Sequence, residues 1–384
     1  MPPMNAQAAF AYATARWERG IMRHPALMLP LLQRQAQHSG KPEARAALLG
    51  AFFVLERWGR GVELQGELTQ ALERALAQRA LAEAAELSEA LGRLHYQRGD
   101  YVQACKCWSQ TLELAEDDAR SACLARIGLA HLCFALGDWA RGGRVLDQAE
   151  LHYPNLAGDA YLRAKIALNR AVSLRATQGP QPALAALDEA QAAARTAGHR
   201  DYEAEARWHR ARCARDSGAP DEALGLARQA RAMAQRSRYR WLESQALMLV
   251  SELEQGEAAL DAARQALALA ESLQSRSLQA AAHGRIGQLM LERGELGPSW
   301  HHMQQRQQLE ASLTQPELPM RVEALARFDA DPQGVLGLLR ELQRLCEQLE
   351  TQDLALRDWV DGHPERAEAV AQAMERLLPR LRRG

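Results

Sequence analysis

The chain has 384 residues, 47% of them apolar, and a net charge of −1, so it can bury a sizeable core and carries no global field suited to nucleic acid or an anionic membrane. Aromatic residues make up only 5%, and Ala, Leu, Gln, Glu and Arg dominate. These residues keep most of their rotamer freedom in a helix, which predicts an all-α protein. The opening MPPMNAQAAFAYATARWERG lacks the basic stretch and long apolar core of a secretory signal. The longest apolar run, residues 46–55, is too short to cross a bilayer, and a cytoplasmic protein without membrane partners is expected.

In chain order, residues 1–45 read as one or two N-terminal capping helices, interrupted near Pro25, Pro30 and Pro42. The segment ALGRLHYQRGDYVQACKCWSQTLELA (90–115) then sets a frame: Gly92, Gly99, Tyr101, Ala104 and Trp108. The same frame returns as Ala130, Gly137, Trp139, Gly142 and Leu146. It appears again as Ala211, Gly218, Ala223 and Ala227, and as Gly287, Gly294, Ser299 and Met303. Weaker copies pass through Ala171, Ala183 and Leu187 and through Leu247, Ala259 and Ala263, with a degenerate start at Gly50.

The spacing has a physical reading. Two antiparallel helices approach closely only where one offers a small side chain, so Gly92 and Ala104 are expected to face each other across a turn at Gly99. There a left-handed backbone costs glycine least. Tyr101 and Trp108 would fill the gap to the next pair. Each pair leaves an apolar face open, so the pairs must stack into a solenoid.

These residues resemble the tetratricopeptide repeat (TPR) family over residues 46–312, as about six to seven helix pairs. The turn glycines Gly99, Gly137, Gly218 and Gly294 and the small residues on either side carry the resemblance. Two features depart from it. The copies recur every 36–42 residues or so, above the usual 34. The proline after the second helix is mostly missing, Pro154 being an exception.

The resemblance implies a concave groove lined by the first helix of each pair. Carried over position by position, the groove residues are Arg93, Tyr96, His131, Phe134, Lys165, Arg175, Trp208, Arg212, Arg215 and Trp241, with Asn169 a candidate if the third copy shifts by one. Met248 and Gln288 fall in the same frame, as do Glu86, Glu89 and Glu205. Such a set suits a peptide or protein with acidic side chains and an apolar anchor, because Arg pairs bidentately with carboxylate and aromatic residues make rigid contacts.

Residues 312–320, SLTQPELPM, read as a linker. Beyond it, 320–384 form either a C-terminal helical hairpin capping the solenoid or a coiled-coil segment that makes a homodimer through a helix over 332–360. Asp331 and Pro332 supply the start of that helix.

No P-loop, dinucleotide glycine motif, HExxH, GxSxG or EF-hand loop occurs, so no catalytic residue, cofactor or metal is expected. His209 and Cys213 share a helix face, but two ligands do not make a site. The six cysteines lack CxxC spacing and read as reduced, mostly buried thiols. Residues 199–240 are locally rich in Arg, yet no nucleic-acid motif accompanies them. The expected function is a non-enzymatic interaction scaffold or adaptor. The alternative is a regulatory sensor of a bacterial signalling pathway that binds a peptide or small ligand. The array is similar to the TPR sensor regions of diguanylate cyclases and transcription regulators, but no output domain follows.

Overall fold

A computed structural model of the chain describes residues 17–18, 20–37, 41–115, 118–330 and 364, and all regular structure among them is helical. Helix α1 is Pro25–Ala36 and α2 is Pro42–Arg57; a 3₁₀ turn, Gly61–Leu64, leads to α3, Gln65–Ala77. The following helices are α4 (Leu81–Arg98), α5 (Tyr101–Leu114), α6 (Ala119–Ala135), α7 (Trp139–Leu151), α8 (Ala160–Gln178) and α9 (Pro180–Ala197). Then come α10 (Arg200–Asp216), α11 (Pro220–Ser237), α12 (Arg240–Leu253), α13 (Gly256–Ser272), α14 (Arg276–Glu292), α15 (Leu296–Leu313) and α16 (Leu318–Ala330). The chain divides into two units, Met1–Leu318 and Pro319–Gly384. The expected 332–360 helix, the hairpin around it and Cys346 lie outside the described residues.

The helix starts follow from local chemistry. Pro25, Pro42, Pro180 and Pro220 stand in the first turn of α1, α2, α9 and α11, where the missing N–H costs nothing. The side chains of Asp118, Asp138 and Asp159 accept backbone N–H bonds at the starts of α6, α7 and α8. Pro30 departs from expectation: it lies inside α1 instead of breaking it. Leu29 and Leu32 on that helix are buried in the cluster that holds Leu48 and Phe52 of α2, and this packing outweighs one lost backbone bond.

At the turn between α4 and α5, Gly99 has φ +78°, its amide donates to Tyr96 O at 2.9 Å, and the Asp100 amide donates to His95 O at 2.8 Å. This closes the end of α4 with a left-handed residue, as the spacing predicts. The small residue before it works differently from expectation. A Cβ on Gly92 would stand 2.5 Å from Nε1 of Trp108, not against Ala104. Helical side chains lean toward the N-terminus, so a large ring one turn beyond Ala104 sweeps back over the crossing point. Gly128 of the next pair borders the other side of that ring, and Trp108 is fully buried between them.

Each helix packs on the next to make the antiparallel pairs α2/α3 through α14/α15. The second helices bury stripes of small residues; on α11 the buried set is Ala223, Ala227, Ala230 and Ala234. Such a stripe lets neighbouring backbones come close with little side-chain entropy lost. The first helices (α2, α4, α6, α8, α10, α12, α14) also pack on one another in succession, and no comparable contact joins the second helices. The first helices therefore form the inner layer of an α-α superhelix.

The superhelix returns on itself. Gly59, just after α2, lies under Leu273 and Arg240, and the Arg238 guanidinium sits 4.9 Å from the Trp58 ring centre. One repeat later Gly99 meets Leu313, and Arg276 Nε donates to Arg98 O at 3.0 Å. The first pairs thus touch the last ones, and the inner layer encloses a common interior.

Candidate functional site

Helix α10 shows how side chains are shared between the two layers. Arg207 and Arg210 reach the outer helices, bonding Gln229 on α11 and Asp188 on α9. Glu205, Trp208, Arg212, Arg215 and Asp216 lie on the other side and meet residues of inner helices. Arg175 on α8 pairs with Asp216 at 2.5 Å, and Arg215 pairs with Glu252 on α12. The interior is therefore a polar face built on α2, α4, α6, α8, α10 and α12.

Its first part surrounds Arg57. That guanidinium pairs with Asp201 at 3.0 Å, meets His199 Nε2 at 3.0 Å, donates to Phe53 O at 3.1 Å and lies 3.5 Å from the Phe53 ring centre. Burial opposes its charge, but Tyr161, Asp201, Tyr202 and Glu56 outweigh burial and hold its pKa above the ordinary value. Arg93 stands beside it, 3.5 Å from Glu56 and 3.4 Å from Glu89, and Gln97 donates to Glu56 at 3.0 Å. Tyr202 OH donates to Tyr161 OH at 3.3 Å. Tyr239 OH donates to Glu205 at 3.2 Å, and burial pushes the Glu205 carboxyl up to about 7.

Between these groups, His131 Nε2 is 2.7 Å from Asn169 Oδ1, and Asn169 Nδ2 donates to Lys165 O at 2.8 Å. The amide orientation makes Nε2 the protonated nitrogen of a neutral imidazole. Burial first, and then Lys165, push the His131 pKa down to about 4. Lys165 is itself buried and makes no side-chain hydrogen bond or ion pair among the described residues.

The second part runs from Trp241, in the first turn of α12, and Trp208, midway along α10, to the C-terminal ends of α8, α10 and α12. The Trp208 and Trp241 rings meet edge to face at 5.8 Å, and Arg212 sits over Trp208 at 4.8 Å. Asp216 takes Arg175 on one oxygen and Arg215 on the other.

Of the residues carried over to the groove, the structure brings Arg175, Trp208, Arg212, Arg215 and Trp241 into one cluster, and His131, Lys165 and Asn169 into another. Arg93 joins the Arg57 network. Tyr96 is occupied by stacking on His131, Tyr101 and Trp108, and Phe134 stacks on Trp139. Phe134 and Trp208 are 9% and 5% exposed, so neither ring projects as a free anchor. Arg57, Tyr161, Tyr202 and Tyr239 were not singled out from sequence. The only local hint is that Tyr161 and Tyr202 sit in the first turns of their helices; their meeting with Phe53 and Arg57 depends on the return of the superhelix.

A cavity of about 100 Å³ opens between residues 17–22, α2, α4, α6 and α8. Trp17, Leu49, Phe53, Leu124 and Tyr161 supply its apolar wall, and Glu86, Glu89, Arg93 and Arg120 its polar one. Burial holds the Glu86 carboxyl up at about 7. Among the described residues no cluster of His, Cys, Asp or Glu is arranged to hold a metal ion, and no helix is long and apolar enough to cross a membrane.

No protein-family model and no curated protein matches the sequence. The fold does have solved counterparts. The chain is similar to a Rap protein whose crystal structure was determined complexed with competence and sporulation factor, with a TM-score of 0.59 and 14% identity. The match covers 97% of this chain and 97% of that one, so the likeness extends to the whole succession of helices.

Proposed function

We propose that the chain is a non-enzymatic scaffold or adaptor that holds a peptide or protein partner on the inner face of its solenoid. The observation that carries this is the asymmetry of the layers: first helices direct Arg, Lys and aromatic residues at a shared interior, while second helices are spent on alanine packing and outer ion pairs. The full-length likeness to a Rap protein in complex with a factor supports the same reading. The TPR resemblance adds that the first helices are the binding face, and a partner with carboxylates and an apolar anchor fits the residues there. A cytoplasmic setting suits the thiols, four of the five described ones being buried.

The test is site-directed photo-crosslinking in the native host. A benzophenone amino acid at Trp241, on the inner side, should capture a defined partner. The same group at Leu151, exposed on the outer helix α7, should not. Capture only from Leu151, or from neither position, defeats the reading.

The cavity beside Trp17 and Glu86 favours a second reading, a sensor for a small ligand. Native mass spectrometry of the purified protein should then show a co-purified compound that leaves on Leu49→Trp, a substitution that fills the cavity. A chain of bare polypeptide mass rules this reading out.

A further inference from the structure

The C-terminal ends of α8, α10 and α12 hold more positive charge than they neutralise. Three guanidinium groups, Arg175, Arg212 and Arg215, stand against two carboxylates, Asp216 and Glu252. Both carboxylates are already engaged. Asp216 accepts from Arg175 Nη1 at 2.5 Å and from Arg215 Nε and Nη2 at 3.0 and 2.9 Å, and Glu252 accepts from Arg215 Nη1. Arg212 is left over: among the described residues it makes no hydrogen bond and no ion pair, and its guanidinium rests on the Trp208 ring at 4.8 Å.

Arginine is retained in such surroundings only against resistance. Burial, then Arg175 and Arg215, push the Arg212 pKa down to about 10. The side chain is only partly covered, so water or a ligand reaches it. Trp208 is buried to 5% exposure and pinned by Trp241 and His209, which fixes the platform and with it the guanidinium plane. A fixed plane matters because a guanidinium binds a carboxylate through two parallel N–H bonds, with less entropy to lose when its direction is already set.

We propose that Arg212, held on Trp208 between Arg175 and Arg215, is the docking point for one side-chain carboxylate of an acidic peptide. This rests on the inner face being the partner-binding face and assigns the chemistry at one point of it. The excess here is a single charge, which one carboxylate balances. A phosphate monoester carries nearly two charges at neutral pH and would press the second against Asp216 and Glu252. Arg175 and Arg215 contribute field rather than contact, since their own carboxylates hold them. Arg210, two residues earlier and so on the outer side of the helix, pairs with Asp188 and has no part in it.

Butyrate, one carboxylate on a stem of glutamate side-chain length, is the minimal probe. The protein has eight Trp residues, whose indole ¹⁵N–¹H signals can be followed by NMR, Trp208→Phe identifying the relevant one. Titration with butyrate at constant ionic strength should give a saturable shift of the Trp208 signal. Arg212→Gln should weaken it at least about tenfold, as expected for loss of a charge-assisted pair. Arg210→Gln should bind as wild type, and inorganic phosphate should bind less tightly than butyrate. No saturable shift, an unchanged shift in Arg212→Gln or tighter binding of phosphate overturns the proposal.

Selection of random peptides displayed with a blocked C-terminus then separates the two levels. Enrichment of Asp or Glu by wild type, lost with Arg212→Gln, supports both. Peptides selected without acidic enrichment leave the inner-face reading standing and remove this inference. Butyrate binding with no peptide selected keeps the anion site and removes the peptide as its source.

Discussion

The two parts of the interior are made of the same residue types and treat charge in opposite ways. Around Arg57 and Arg93 the cations meet Glu56, Glu89 and Asp201, and the buried rings of Tyr161 and Tyr202 close over them. Around Arg212 the cations outnumber the anions and one is left unpaired. Asp201 and Asp216 lie at opposite ends of α10, about 22 Å apart along a helix of that rise, so one helix serves both parts. The first part is a clasp, in which distant repeats are joined by polar groups that satisfy one another. The second lies among neighbouring repeats, where among the described residues no distant segment returns to supply the missing charge. Pairing of the guanidinium groups thus follows the return of the superhelix; Lys165, buried near Tyr161 without an ion pair among the described residues, departs from that rule.

The largest effect should come from breaking the clasp. Arg57→Ala strips the largely covered Asp201 of its cation and leaves Glu56 to Arg93 alone, and an unpaired buried charge costs about 3–5 kcal/mol. Urea unfolding should show a loss of that order. A loss under about 1 kcal/mol would mean that the two parts differ little in how far they are desolvated.

A second test uses pH at the edge of the clasp. Glu205 has a pKa of about 7 in the folded chain against an ordinary 4.5, so the native state holds its proton more tightly than the unfolded state does. Stability is then fully present below about pH 4.5 and falls as pH rises through 7. Glu205→Gln has no such proton to lose. Between pH 5 and pH 8 its stability relative to wild type should rise, by up to about 3 kcal/mol at roughly 1.4 kcal/mol per pH unit. A stability difference that stays flat over this range would place Glu205 in solvent.

Packing variants outside both parts provide the scale. Ala104→Leu and Ala223→Leu, at two fully buried crossings, should each cost about 1–3 kcal/mol in thermal unfolding. From sequence, Gln97 is expected to be exposed, with less than about 0.5 kcal/mol to lose on replacement by Leu. Its bond to Glu56 makes it part of the clasp, so Gln97→Leu should cost about 1–2 kcal/mol.

The smallest effect belongs to the under-paired part. Arg212→Gln removes a cation with no partner and two like-charged neighbours, so stability should change by less than about 0.5 kcal/mol or rise slightly. A loss comparable to that of Arg57→Ala would make Arg212 a structural residue and erase the contrast.

The amino-acid sequence by itself determined the helices, the turns and the layering. Composition decides for helix, a glycine such as Gly99 stops it, and the small residues recurring in frame decide which faces can approach; all of this is local or spans one repeat. It also placed Arg175, Trp208, Arg212, Arg215 and Trp241 on one face, because that follows from register alone. Tertiary structure decided the rest. That Gly92 makes room for Trp108 depends on how a large side chain leans, and that Pro30 stays helical depends on what α1 packs against. That Arg57 finds Asp201 and Arg212 finds no carboxylate among the described residues depends on where the superhelix closes. Closure brings Phe53 against Tyr161 and Arg57 against Asp201, residues more than a hundred positions apart, through small rotations summed over successive repeats. No single stretch of sequence encodes that sum.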